Sequence, residues 1–427
     1  MPDKPMFQVE VYQNRYLPVG GTVVDAVLSV TAAEAGRHTP VAALDAAQVI
    51  MVDCSGSMSD PPSKMAEAKK ATVAAIDALR DGVAFAVIAG REDAEVVYPP
   101  ADTLVPATRK TRAEARNAVD RLTPGGGTVV GTWLNLTNDL FARHPAEFKH
   151  AIMLTDGRNQ HETPRQLAAV LRTCERRFVC DTRGVGDDWS GTELRTIASA
   201  LLGTADGLAH PGELAADFRK MTEAAMSKTL AEVTLRLWTP ARSSLRFVRQ
   251  AYPHVEDLTG RRIEVSDRIG DYPTGAWGNE SRDYHLSIGL PAGAVGEERL
   301  AARISLVSED QTLAESRLAV TWTDDHALVM KINPRVAHYS GQAELAAAIQ
   351  RGLAARDAGD FDNATDLLGR AVQLAAETGH EDTARLLGRV VDVIDARTGH
   401  VRLRRDAADV DAEMANVRSV KTVRVKS

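Results

Sequence analysis

Three short apolar runs limit the fold more than anything else in the chain. Val49-Ile50-Met51-Val52, residues 83–89 and Ala151-Ile152-Met153-Leu154 carry no polar residue at alternate positions. Runs of that length and evenness suit strands buried on both faces, the habit of a parallel sheet. Between and beyond them lie segments of helical period, at 63–80, 108–122, 131–144, 164–176, 192–201 and 213–229. A further strand is expected at 178–185 and a short edge strand at 94–98. Strand and helix in alternation give an α/β fold, a doubly wound Rossmann-like sheet with helices on both faces. Ligands of such sheets bind beyond the carboxyl ends of the strands.

Two of the runs lead into aspartate. Asp53 opens Asp53-Cys54-Ser55-Gly56-Ser57, and Asp156 follows Thr155. A third segment, Pro124-Gly125-Gly126-Gly127, leads to Thr128, its glycines allowing the loop to swing. One carboxylate and two hydroxyls on one tight loop suit a hard divalent cation, which takes oxygen ligands in a compact shell. The same loop also suits a helix cap or a filled site of purely structural role. Three separate segments expected at one end of one sheet favour a shared metal site.

Asp53, Ser55, Ser57, Thr128 and Asp156 together resemble the metal-ion-dependent adhesion site of the von Willebrand factor type A family, over residues 45–228. No position of the five-residue motif departs from the pattern. The resemblance implies that Ser55, Ser57 and Thr128 bind the metal directly while Asp53 and Asp156 act largely through waters. It implies Mg2+, with Mn2+ or Ca2+ as alternatives, and an open coordination position for a partner's Asp or Glu. The resemblance, to the bacterial, intracellular type, implies that the chain is a metal-dependent binding or scaffold protein. The alternative is an accessory subunit of an AAA+ (MoxR-like) ATPase, beside which many bacterial members act, or of a kinase or forkhead-associated signalling complex.

The flanks read differently. Residues 7–12 and 22–30 alternate as strands, and so do 232–238, 245–248, 284–288 and 317–322. Two strands are not stable alone, so residues 1–44 are expected to complete an antiparallel β-sandwich with residues 229–325. Residues 326–398 are expected to form a helical hairpin domain, with helices at 342–358, 361–378 and 381–396. Within it, 355–364 resembles the turn of a tetratricopeptide repeat. Residues 399–427 are expected to be a charged, flexible tail bearing Arg418, Lys421, Arg424 and Lys426. Thr422 in that tail is a candidate phosphorylation site for a phosphothreonine-binding protein.

Charge and composition narrow the function. A net charge of −7 over 427 residues gives no basic surface for nucleic acid. Residues 1–5 begin no signal peptide and no run reaches the length of a membrane span, so a cytoplasmic location is expected. Cys54, Cys174 and Cys180 are an odd count and read as free core thiols. The acidic run 357–366 lacks the glycine and terminal glutamate of a calcium loop, and His161 is too soft a ligand for a hydroxyl and carboxylate site. No phosphate-binding Gly-Lys-Ser/Thr loop, dinucleotide fingerprint or Gly-x-Ser-x-Gly elbow occurs. The chain therefore reads as a binding protein, not an enzyme.

Overall fold

The computed structural model describes residues 6–33, 44–208, 210–309 and 311–425. The readings at residues 1–5 and at Lys426 lie outside those residues. The chain divides into two compact units, one of residues 1–42, 229–406 and 419–427, the other of residues 43–228 and 407–418.

Strands β1 (Met6–Gln13), β2 (Tyr16–Pro18) and β3 (Val23–Ala33) come first and belong to the first unit. The second unit follows as β4 (Ala46–Asp53), α1 (Ser63–Ala78), β5 (Ala84–Gly90), β6 (Ala94–Tyr98), β7 (Val105–Pro106), α2 (Arg109–Asp120) and α3 (Val130–Ala142). It continues with β8 (Phe148–Thr155), α4 (Pro164–Cys174), β9 (Val179–Val185), α5 (Gly191–Ala200), β10 (Ala205–Leu208) and α6 (Leu214–Met226). Its sheet runs β10-β9-β8-β4-β5-β6, with β7 also on β5. β10 through β5 are parallel, whereas β6 and β7 are antiparallel. β4 and β5 are buried at every position, which is why their sequences show no alternation. Strand order reverses between β4 and β8, so their carboxyl ends flank the crevice where such sheets take ligands. Thr108 and Thr163 start α2 and α4 with capping boxes.

The first unit resumes with β11 (Thr234–Trp238), β12 (Ser244–Tyr252), β13 (Glu256–Asp257), β14 (Ile263–Ser266), β15 (Ile269–Pro273), β16 (Glu280–Gly289), β17 (Glu298–Ser308) and β18 (Gln311–Thr323). One sheet runs β1-β3-β16-β12-β13 and the other β14-β15-β11-β17-β18-β2. β3 pairs antiparallel with β16, and β2 parallel with β18. Leu28 and Leu286 from the first sheet share one apolar cluster with Leu235, Ile304 and Trp322 from the second. β17 joins β11 to β18 yet is absent from the strands read in the sequence. A register shift between Leu300 and Ala302 breaks the two-residue alternation that would have marked it.

After α7 (His326–Val329), the helices are α8 (Pro334–Asp357), α9 (Phe361–Thr378) and α10 (Glu381–Val390). α8 starts well before residue 342, because Asn333 caps it and Pro334 takes its first turn. The helix expected over 381–396 is corrected: it stops at Val390, and β19 (Val391–Asp395) turns back into β20 (His400–Leu403). β-branched Val391, Val393 and Ile394 favour the strand, and Gly399 supplies a turn at φ 70°.

The flexible tail is corrected too. α11 (Asp409–Arg418) buries Ala412, Met414, Ala415 and Val417 and packs on α5 and β10 of the second unit. Beyond it the backbone is bonded into the first unit: Val255 N donates to Val420 O at 2.7 Å and Thr422 N to Pro253 O at 3.2 Å. The Thr422 hydroxyl is buried without a hydrogen-bond partner, not displayed. Charge misled here because Glu413, Arg418 and Arg424 are paired within the fold. Among the described residues no helix is long and apolar enough to cross a membrane.

Candidate metal centre

Each donor sits where the backbone leaves a strand or a glycine run. β4 ends at Asp53, and a single short helical turn, Gly56–Ser59, folds the loop back over the strand end. The Ser55 amide donates to Asp53 Oδ1 at 2.8 Å. The Ser55 and Ser57 hydroxyls lie 2.9 Å apart, and Ser57 Oγ donates to Asp156 Oδ1 at 2.7 Å. Gly157 locates Thr128: a Cβ there would lie 3.3 Å from Ser57 Oγ and 3.5 Å from Thr128 Oγ1. Asp53, Ser55, Ser57, Thr128 and Asp156 thus meet at the carboxyl ends of β4 and β8.

The glycine run does more than permit motion. Gly125 N donates to Cys54 O at 2.8 Å, and Gly56 N to Gly126 O at 2.9 Å, so this loop is laced to the Asp53 loop. Gly126 sits at φ 83°, a conformation L side chains disfavour. A Cβ on Gly127 would come within 2.9 Å of His161.

Charge is concentrated below these hydroxyls. Asp53 and Asp156 are both fully buried. Burial pushes the Asp53 carboxyl up to about 6, against hydrogen bonds from Ser55 and Thr155 that favour its charged form. Thr155 Oγ1 donates to Asp53 Oδ2 at 2.6 Å. Lys64 Nζ lies 3.0 Å from Asp156 Oδ2. That contact is one of charge, since Oδ2 receives no hydrogen bond of acceptable geometry.

Thr155 and Lys64 were not among the sequence candidates. Thr155 reads as the last residue of a strand. Lys64 left a signal: it is a cation in the first turn of α1, where the helix dipole disfavours one.

The donors fit a hard cation. They are hydroxyl and carboxylate oxygens, and of the two buried carboxylates only Asp156 is met by an ammonium, that of Lys64, leaving negative charge for a cation to balance. Among the described residues no group of three or more His, Cys, Asp or Glu is placed to hold a metal. A cation here would therefore depend on Ser55, Ser57 and Thr128. Cys54 is not a competing ligand, because burial pushes its thiol up to about 12. Burial likewise holds Cys174 at about 11 and Cys180 well above the ordinary thiol value.

The loop after Asp156 is largely tied down. Asn159 Nδ2 donates to Glu162 Oε2 at 2.6 Å, and the same oxygen accepts from Gly131 N at 3.0 Å. Gln160 N donates to Thr128 O at 3.1 Å. Arg158 reaches Glu413 of α11 at 3.5 Å.

Comparisons with known proteins agree with this architecture. The von Willebrand factor type A domain matches residues 47–206, and the von Willebrand factor type A C-terminal domain matches residues 373–419. A solved von Willebrand factor type A protein from Catenulispora acidiphila is 46% identical, with 99% of this chain and 98% of that chain covered and a TM-score of 0.93. The ArnB paralog VWA2 from Sulfolobus acidocaldarius is 13% identical over 98% of this chain and 100% of that one, with a TM-score of 0.58, and shares the fold. Proximal thread matrix protein 1 from the mussel byssus, solved with zinc in its own adhesion motif, is 23% identical over 43% of this chain and 46% of that one, at a TM-score of 0.36. No curated protein matches.

Proposed function

This chain belongs to the von Willebrand factor type A family, and from that membership we propose that it is a metal-dependent protein-binding protein. The observation that carries the proposal is the meeting of Asp53, Ser55, Ser57, Thr128 and Asp156, drawn from three segments, at the crevice between β4 and β8.

Ser55, Ser57 and Thr128 would hold Mg2+ with neutral oxygens, and Asp53 and Asp156 would stabilise it electrostatically from behind. A cation held so supplies an electropositive point for one carboxylate oxygen of a partner's Asp or Glu. The chain's own part is to orient. Asp53 fixes the Ser55 amide, Asp156 fixes the Ser57 hydroxyl, and the backbone bonds between the Asp53 loop and the glycine run fix the entry to Thr128. The role proposed is adhesive and scaffolding, with no reaction assigned.

The test is a pull-down with the full chain as bait, in Mg2+ and in EDTA, beside Asp53→Ala. A partner held in Mg2+ and released in both other arms is expected. A partner retained equally in all three contradicts the proposal. The retained protein also distinguishes an AAA+ ATPase from a kinase, a forkhead-associated protein or another acid-bearing partner.

A further inference from the structure

We infer that Lys64 is a positioning residue of this site that sets its charge, making an anionic partner, and not the protein, the final neutraliser of the bound cation. The inference rests on the metal-binding reading above and adds a residue that the five-residue motif does not contain.

Lys64 is placed to do this. Its side chain is 8% exposed, and its ammonium lies 3.0 Å from one oxygen of fully buried Asp156. Ser57 holds the other oxygen at 2.7 Å. Asp156 therefore stands between an internal cation and the metal-side hydroxyls. A second acid, Asp187, is 3.9 Å from Lys64 but 76% exposed, so solvent screens it. The stem is wedged as well: a Cβ on Gly186 would come within 2.8 Å of Lys64 Cε. The ammonium is thus held inside the fold against Asp156 and not extended into water.

The consequence is electrostatic. Asp53 and Asp156 alone would neutralise a dication. Counted with the Lys64 ammonium, the two aspartates and a dication sum to one positive charge in excess, in a place where burial strengthens every charge interaction. That excess weakens the grip on the metal alone and strengthens the demand for a carboxylate from outside. A lysine that merely held α1 in place would affect folding and leave cation affinity unchanged.

The test is calorimetric titration of the full chain with Mn2+ alone, for wild type, Lys64→Met and Lys64→Arg. Lys64→Met is expected to bind Mn2+ about tenfold more tightly or better, and Lys64→Arg, which keeps the charge, to stay near wild type. Lys64→Gln carries the same expectation should Lys64→Met fail to fold. Wild type binding with Lys64→Met equal or weaker overturns the inference and leaves the metal site standing. Silence from wild type and all three variants overturns the metal site and the inference together.

Discussion

Ser57 is the residue at which the halves of the site join. Its hydroxyl touches Ser55 on its own loop and Asp156 on the next strand end. Ser57→Ala should lower Mg2+ affinity at least about tenfold, measured by calorimetry, while the chain stays folded in EDTA. Unchanged affinity would remove Ser57 from the ligands. These donors were legible because they are crowded into a loop or follow a run of glycines. Thr155 was not, since its contact with Asp53 is made only by the fold, and Lys64 left only its unfavourable place in the first turn of α1, with nothing to say that Asp156 is its partner.

His285 gives a residue-scale test in the other unit. It is 4% exposed, and its Nε2 has no hydrogen-bond partner. Burial pushes its imidazole down from 6.5 to about 4, outweighing the attraction of Asp25, with Arg249 acting in the same direction as burial. The folded value lies below the unfolded one, so as pH falls through 6.5 the unfolded chain takes up the proton first. Stability should therefore be full above that range, decline toward pH 4 and then level, by about 3 kcal/mol at most. Urea melts of wild type and His285→Leu across this range check it. A slope undiminished in the variant contradicts the assignment.

Among elements, the second unit closes on Trp189, which is 1% exposed and packed against two glycines. A Cβ on Gly184 or on Gly207 would come within 2.3 Å of the indole. Gly184→Ala should cost about 3 kcal/mol, read from urea denaturation. α11 fastens the same edge: Glu413 accepts from Gly191 N at 2.8 Å, and Arg418 donates to Asp206 at 2.8 Å. Glu413→Ala should cost about 1–2 kcal/mol. β4 and β5 were legible because full burial erases alternation, whereas the parallel strand β10, four residues long, was not read in the sequence. β17 was hidden by its register shift, and β19 by following a helix without a proline or glycine between them.

At the scale of the whole molecule, the chain passes repeatedly between its two units, and residues 407–418 return to the α/β unit from far along the sequence. Composition does not reveal such a return, because a charged segment looks the same solvated or paired. Ending the chain at residue 406 removes α11 and the backbone bonded at Pro253 and Val255. Hydrogen exchange should then speed up both around α5 and β10 and around residues 253–255. Exchange unchanged at both places is what a loose tail would give.

The central claim is that hydroxyls, backed by two buried carboxylates, hold a hard cation at the crevice between β4 and β8. The most direct test is the anomalous difference density of a crystal of the full chain grown with Mn2+. One peak is expected within bonding distance of the Ser55, Ser57 and Thr128 hydroxyl oxygens, absent in Asp53→Ala. A peak bound elsewhere, or none at this crevice, would contradict it.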